Sequence, residues 1–149
     1  MIRKLAVLVA SVCWLGFVPV APGTVGSLAA LALAWFLPTS SCLIMGALVL
    51  ATMLFGLVAT HIATKGSGDP SWVVIDEVAG MWLALVGLPV AIVPFALAFV
   101  LFRLLDIYKP CGIKHLQCLP GAWGVMFDDL AAGAVTALLV RAIFYIKPF

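Results

Sequence analysis

The chain has 149 residues, of which 66% are hydrophobic and 9% charged, with a formal net charge of +2. A mean hydropathy of +1.29 and this apolar content exceed the roughly half expected of soluble domains, and the few dispersed cations exclude the basic stripe that a nucleic-acid partner requires. The length suits one domain, residues 1–149, and the composition is that of an integral membrane protein, in which each of the six carboxylates is costly and functional by default.

In chain order, Arg3 and Lys4 precede an apolar run from Leu5 to Val18, a pattern superficially like a signal peptide. The elaborate small-residue stretch from Pro19 to Ser27 argues against cleavage. Within it, APGTVGSL, Ala21 to Leu28, carries no charge but brings two hydroxyls and exposed amides to the start of a helix. Backbone amides at a helix N-terminus bind anions, which makes Thr24 and Ser27 candidate phosphate contacts, although a Pro-Gly turn alone also accounts for the stretch.

Val25 to Leu37 is a short apolar segment and Ser41 to Ile62 a full candidate span, since about 20 apolar residues cross a bilayer. Next comes an island from Asp69 to Gly80. Asp69 before Pro70 suits a turn as well as a site. Asp76 and Glu77 stand together at the start of another apolar run, Val78 to Leu88. On a helix they project about 100° apart, so one can hold a metal while the other orients a ligand, water or lysine.

Val90 to Leu105 with its flanks forms a further span, and its end belongs to the island FRLLDIYKP, Phe102 to Pro110. Arg103 and Asp106 are three apart and share a helix face, and Lys109 projects near that face just before Pro110 stops the helix. The row offers one anion for a metal and two cations for a phosphate, or simply an ion pair at a helix end. Cys111, His115 and Cys118 crowd the following loop without the paired spacing of a zinc site, and the four cysteines form no disulfide framework. Finally, Asp128 and Asp129 sit near the start of a span from Val125 to Ile146. The helix dipole favours an acid there, but it does not account for two.

Long apolar runs between Pro and Gly breakers, without strand alternation, predict an all-α, multi-helical integral membrane bundle. If the polar islands form one site, the loops at 19–24, 63–73 and 107–123 open on one face and Pro38 to Ser41 turns at the other. Lys65, Lys109 and Lys114 assign the first face to the cytoplasm. Arg3 and Lys4 belong there too, so Leu5 to Val18 is expected to dip and return, or to lie along the interface, rather than span.

Convergent carboxylates repel one another unless a cation neutralises them. Oxygen ligands suit Mg²⁺, which keeps waters and meets phosphate through one or two carboxylates. With Arg103 and Lys109 for the phosphate oxygens, the inventory suits metal-assisted phosphoryl transfer to water. The rival from another class is an ion or small-solute transporter, whose acids would be distributed through the bilayer depth instead of clustering at helix ends.

The strings APGTVGSL, DPSWVVIDEVAGMW, FRLLDIYKP and GVMFDDLAAG resemble, in this order and spacing, the signature blocks of the phosphatidylglycerophosphatase A family over nearly the whole chain. The resemblance implies a multi-pass bacterial inner-membrane lipid phosphatase, dependent on Mg²⁺. Its substrate would be phosphatidylglycerophosphate, hydrolysed at the cytoplasmic face to phosphatidylglycerol and inorganic phosphate; another lipid phosphate is the rival substrate. Carried onto matching positions, Asp76, Glu77, Asp106 and Asp129 are the catalytic candidates. One or two metal ions would be held by Asp106, Asp128 and Asp129, with Asp76 or Glu77 adding a ligand or acting as general base. Arg103 and Lys109, with Thr24 and Ser27 as further contacts, would bind the substrate phosphate. The loop at 111–122 departs from the family, which commonly has a second proline where Gly112 stands, Gly-Gly at Gly121 and Ala122, and an aspartate near Gln117.

Overall fold

A computed structural model describes residues 1–65, 70–110 and 112–146. Among them are seven α-helices and no strand: α1 (Ile2–Ala10), α2 (Pro22–Ala34), α3 (Cys42–Thr64), α4 (Ile75–Leu85), α5 (Ile92–Tyr108), α6 (Ile113–Leu116) and α7 (Ala122–Ile146). The all-α expectation holds, and the boundaries follow from local chemistry. Ser41 caps α3 by accepting from the Ile44 N–H at 3.5 Å, and α5 stops where Lys109 turns to φ 45° ahead of Pro110. Pro22 and Gly23, expected to break the chain before a helix at Val25, are instead the first residues of α2. Proline is suited to the first helical turn, because its missing N–H has no partner there in any case.

The N-terminal segment does not run as one helix. It folds as α1, a turn in which Val12, Cys13 and Trp14 all have positive φ (48°, 53° and 70°), and a single 3₁₀ turn at Leu15–Phe17. The Ser11 hydroxyl accepts from the Trp14 N–H at 3.1 Å and steadies the turn. Arg3 Nε donates to the Ala63 carbonyl at 3.4 Å, near the end of α3, while the Ala10 carbonyl accepts from the Val74 N–H at 2.9 Å, just ahead of α4. Both ends of α1 therefore lie at one end of the bundle, and the segment returns as the placement of Arg3 and Lys4 requires.

Hydrogen bonds at the other end complete the topology. Thr39 Oγ1 donates to the Leu88 carbonyl at 2.7 Å, the Gly87 N–H donates to the Thr39 carbonyl at 2.7 Å, and Arg141 of α7 donates to the Val86 carbonyl. The turns after α2 and α4 thus meet the far half of α7, leaving the loops that carry the polar islands at the opposite end.

Helix α4 is short but enclosed, with eight of its 11 residues buried, and α7 is its main neighbour. A Cβ added at Gly133 would lie 2.2 Å from the Gly80 carbonyl oxygen, and one added at Gly80 would lie 2.6 Å from that of Asp129. Small residues permit such backbone proximity between helices. On either side lie two apolar clusters, one including Ala59, Val125 and Met126 and the other including Met81, Phe95 and Phe102.

The outside is also apolar: Leu43, Phe55, Phe36 and Ile92 are 70% exposed or more. Exposure of large apolar side chains on this scale marks contact with lipid or another apolar partner. Two helices, α3 and α7, are long and apolar enough to cross a membrane; at roughly 1.5 Å per residue, α3 is about 34 Å long. The span expected around Val90 to Leu105 is the 17-residue α5, somewhat short of the usual 20 or so, because it starts after Ala91 and is stopped at Lys109.

The α4–α7 contact gives a first prediction. Gly133→Ala is expected to destabilise the protein by about 1–3 kcal/mol, the typical cost of overpacking, because the obstructing atom is backbone. Gly46→Ala, where an added Cβ meets nothing within 4 Å, should be neutral or slightly stabilising. Thermal unfolding of the two variants in detergent checks the difference.

Candidate active site

The same crossing assembles the acids. Asp76 precedes Gly80 by four residues, and Asp129 precedes Gly133 by four, so each acid shares a helix face with the glycine one turn on. Asp76, Glu77 and Asp129 consequently each offer a carboxylate oxygen, and these atoms all lie within 4.8 Å of one another. Asp76 and Asp129 are buried and Glu77 half-buried.

Opposite this trio stands the polar end of α5. Arg103 Nη1 bonds Asp106 Oδ2 at 2.6 Å, and Lys109 Nζ lies 3.6 Å from Asp106 Oδ1 and pairs with Asp128 Oδ2. The other Asp128 oxygen accepts from the Asp129 N–H at 3.0 Å. Burial works to lower the pKa of Lys109, but the hydrogen bond to Asp128 and the charges of Asp128, Asp129 and Asp106 outweigh it and hold the ammonium above its ordinary value. Lys109 is therefore a persistent cation.

These groups line one cleft of about 260 Å³ with Ala21, Pro22 and Gly23 of the α2 entrance and with Ser71 and Val73. All three loops expected to share a face contribute to it. Pockets that enclose a whole small molecule run to about 300–1,000 Å³, so this one suits a headgroup rather than an entire lipid.

The arrangement sorts the expected residues. Asp76, Glu77, Arg103, Asp106, Lys109, Asp128 and Asp129 come together. Asp106 and Asp128, expected with Asp129 as the principal metal ligands, are engaged by Arg103 and Lys109, while Asp76, Glu77 and Asp129 are the carboxylates whose oxygens lie close enough together to share an ion. Ser27 is fully buried behind the cleft: its hydroxyl donates to the Gly23 carbonyl at 2.8 Å and accepts from Arg103 at 3.3 Å. It braces the arginine instead of reaching into the cleft. Thr24 is half-buried and does not line the cleft. Asp69 and Cys111 lie outside the described residues, and His115 and Cys118 are exposed on the far side of that gap.

Three lining positions carry no signal of their own in the sequence. A Cβ at Gly23 would lie 2.1 Å from Glu77 Oε1 and 3.3 Å from Arg103 Nη2, so the glycine lets both side chains meet the start of α2. Ser71 and Val73 belong to the Asp69 to Gly80 island, where the acids draw attention away from them.

The trio has the chemistry of a cation site. Glu77 Oε2 and Asp129 Oδ2 are buried without a hydrogen-bond partner, a costly state for a carboxylate oxygen. Five carboxylates and two cations line the cleft, a formal deficit of three positive charges. An all-oxygen donor set fits a hard divalent cation.

Residues 8–144 match the family described as Phosphatidylglycerophosphatase A. The chain belongs to the phosphatidylglycerophosphatase A family. It is 36% identical over 127 residues to phosphatidylglycerophosphatase A of Escherichia coli, covering 82% of this chain and 73% of that protein. The Haemophilus influenzae protein of the same name is 34% identical over 137 residues, covering 87% and 83%. A provisionally named phosphatidylinositol-3-phosphatase of Bacteroides thetaiotaomicron is 35% identical over 140 residues, covering 84% of each. No solved structure matches. Membership in the phosphatidylglycerophosphatase A family brings with it the family's activity, dephosphorylation of phosphatidylglycerophosphate.

Arg103 provides the second prediction. Its Nη1 bonds Asp106 and Ser27 while Nη2 lies beside Gly23 at the start of α2, a planar spread over two nitrogens that the single ammonium of lysine cannot reproduce. Arg103→Lys should lose at least about tenfold in kcat/KM, the equivalent of one charge-assisted hydrogen bond, while the folded protein keeps its unfolding temperature within a few degrees. Phosphate-release kinetics and a melting curve on the same preparation check it.

Proposed function

We propose that the chain is a Mg²⁺-dependent, multi-pass membrane enzyme that hydrolyses phosphatidylglycerophosphate to phosphatidylglycerol and inorganic phosphate at the cytoplasmic face of a bacterial inner membrane. The observation that carries this reading is one small cleft in which Asp76, Glu77 and Asp129 face Arg103 and Lys109. Acids alone would suit a cation path. Acids together with two cations suit a phosphate and a metal in contact.

Asp76, Glu77 and Asp129 would hold the ion, and Mg²⁺ there would supply Lewis-acid polarisation of the phosphoryl group and of the attacking water. Arg103, fixed by Ser27 and Asp106, neutralises charge developing on the phosphoryl oxygens. Lys109 keeps its proton and adds a second fixed positive charge, drawn by Asp106 and Asp128 to the same side of the cleft. The entrance of α2 contributes amides at a helix N-terminus, where an anion is favoured. Asp76 or Glu77, through the oxygen that it does not give to the ion, would take the proton from the attacking water. With each of these groups in place before the substrate arrives, the phosphoryl group moves from one oxygen to another with little reorganisation around it.

The membrane orientation is supported by the apolar outer faces and by Arg3, Lys65 and Lys109 at the cleft end. Reporters fused at the N-terminus and after Lys65 should both map to the cytoplasm, whereas one inserted after Ser40 should map outside. Opposite locations for the first two would overturn the topology.

The activity is tested by phosphate release from phosphatidylglycerophosphate in mixed micelles, with Mg²⁺ or a chelator. Release should require Mg²⁺, and Asp129→Asn should reduce it by on the order of 100-fold or more. Release that survives chelation, or an unaffected Asp129→Asn, would refute the metal assignment. The name of the Bacteroides relative makes phosphatidylinositol 3-phosphate the comparison substrate; faster turnover of that lipid would replace the proposed one.

A further inference from the structure

Every charged side chain lining the cleft has a role in holding a phosphate or an ion. Ser71 is different: among the lining residues it is the one neutral side chain able to hydrogen-bond. It is exposed at the cleft rim, and the segment bearing it is fixed from several sides. The Val73 N–H closes a turn onto the Pro70 carbonyl at 2.9 Å, and the Val74 N–H donates to the Ala10 carbonyl at 2.9 Å. The Trp72 ring stacks on Phe17 with centroids 5.5 Å apart and planes 5° apart. Behind it, Gly16 is so close that an added Cβ would lie 1.9 Å from the Trp72 carbonyl oxygen. The N-terminal turn thus braces the segment that places Ser71 in the lining of the cleft.

A phosphoryl group calls for cations and amides, which the cleft supplies elsewhere. The alcohol that carries the phosphate calls for a neutral donor and acceptor. In phosphatidylglycerophosphate that alcohol is a glycerol with one free hydroxyl, on the carbon next to the phosphate ester. We propose that Ser71 is a specificity-determining residue that hydrogen-bonds the free hydroxyl of this alcohol and favours polyol phosphates over lipid phosphates without one. The inference rests on the phosphatase reading above and deepens it. A site that hydrogen-bonds a substrate hydroxyl favours that substrate over analogues that lack it.

The test uses the full-length protein in mixed micelles with phosphatidylglycerophosphate and with phosphatidic acid, whose diacylglycerol has no free hydroxyl. Phosphatidic acid is followed both as substrate and as competitor. Ser71→Ala should raise KM for phosphatidylglycerophosphate roughly three- to tenfold, the value of one neutral hydrogen bond, with kcat and the response to phosphatidic acid unchanged. Ser71→Thr, which keeps the hydroxyl, should restore most of the loss. An equal loss toward both lipids would assign Ser71 to the phosphate machinery, and an unchanged preference would leave it no role in selection; either result overturns the inference. A wild-type protein that releases no phosphate from phosphatidylglycerophosphate overturns the reading on which the inference stands, and the inference with it.

Discussion

The arrangement of the cleft depends on how closely α4 approaches α7. The backbones meet at Gly80 and Gly133, where neither helix has room for a Cβ. Because the spacing from acid to glycine is four residues on both helices, one close crossing also brings Asp76 and Glu77 to Asp129. A side chain at the crossing would clash with the facing backbone and push the helices, and the carboxylates with them, apart. Here packing and chemistry are the same constraint: the glycines set the interhelical distance, and that distance sets the separation of the carboxylates.

Electrostatics explains why such a crossing would be unfavourable without a function. The acids converge in a chain with 9% charged residues, and isolated ions are costly in low-dielectric surroundings. Arg103 and Lys109 satisfy Asp106 and Asp128 through short contacts, which leaves Asp129 and Glu77 with buried oxygens that no protein donor reaches. The cations are held by the acids in their turn: Ser27 and Asp106 fix Arg103, while Asp106 and Asp128 fix Lys109 and keep it charged. Under the proposed function, a dianionic phosphate entering this network would meet positive groups already held in place, and that preorganisation would be the protein's part in stabilising a phosphoryl-transfer transition state.

Much of this is legible in the sequence, for identifiable reasons. Apolar runs between breakers locate α3 and α7 to within a few residues, since helix length and composition dominate in a chain with so little polar content. The three-residue spacing of Arg103 and Asp106 predicts their pairing, because a helix fixes that geometry locally. What cannot be read are effects of tertiary contact. Pro22 and Gly23 look like a turn because local propensity cannot report that α2 begins where Glu77 and Arg103 need access to its backbone. The left-handed turn at Val12, Cys13 and Trp14 contains no glycine, so nothing local announces it; it is held by Ser11 and by the packing of Gly16 against Trp72. Which acids group for an ion and which pair with cations depends on three helices at once. The sequence offers Asp76, Glu77, Asp106, Asp128 and Asp129 alike, and the crossing of α4 with α7 is what brings oxygens of Asp76, Glu77 and Asp129 within 4.8 Å of one another.

The lengths of the helices carry a final consequence. Asp128 and Asp129 lie six and seven residues into α7, about 10 Å along its axis, whereas Asp76 and Glu77 open α4 and Asp106 lies in the last turn of α5. The cleft is completed by the entrance of α2 at Ala21, Pro22 and Gly23 and by Ser71 and Val73 ahead of α4. A cleft of about 260 Å³ has room for a headgroup and not for acyl chains. The acids of the cleft are themselves buried, at 9% exposure or less for Asp76, Asp106, Asp128 and Asp129, and burial strengthens the action of each fixed charge. It also explains why the chain tolerates so dense a cluster of ionisable groups: they are recessed enough for their charges to act strongly on a phosphate, and close enough to helix ends for an ion and a headgroup to reach them.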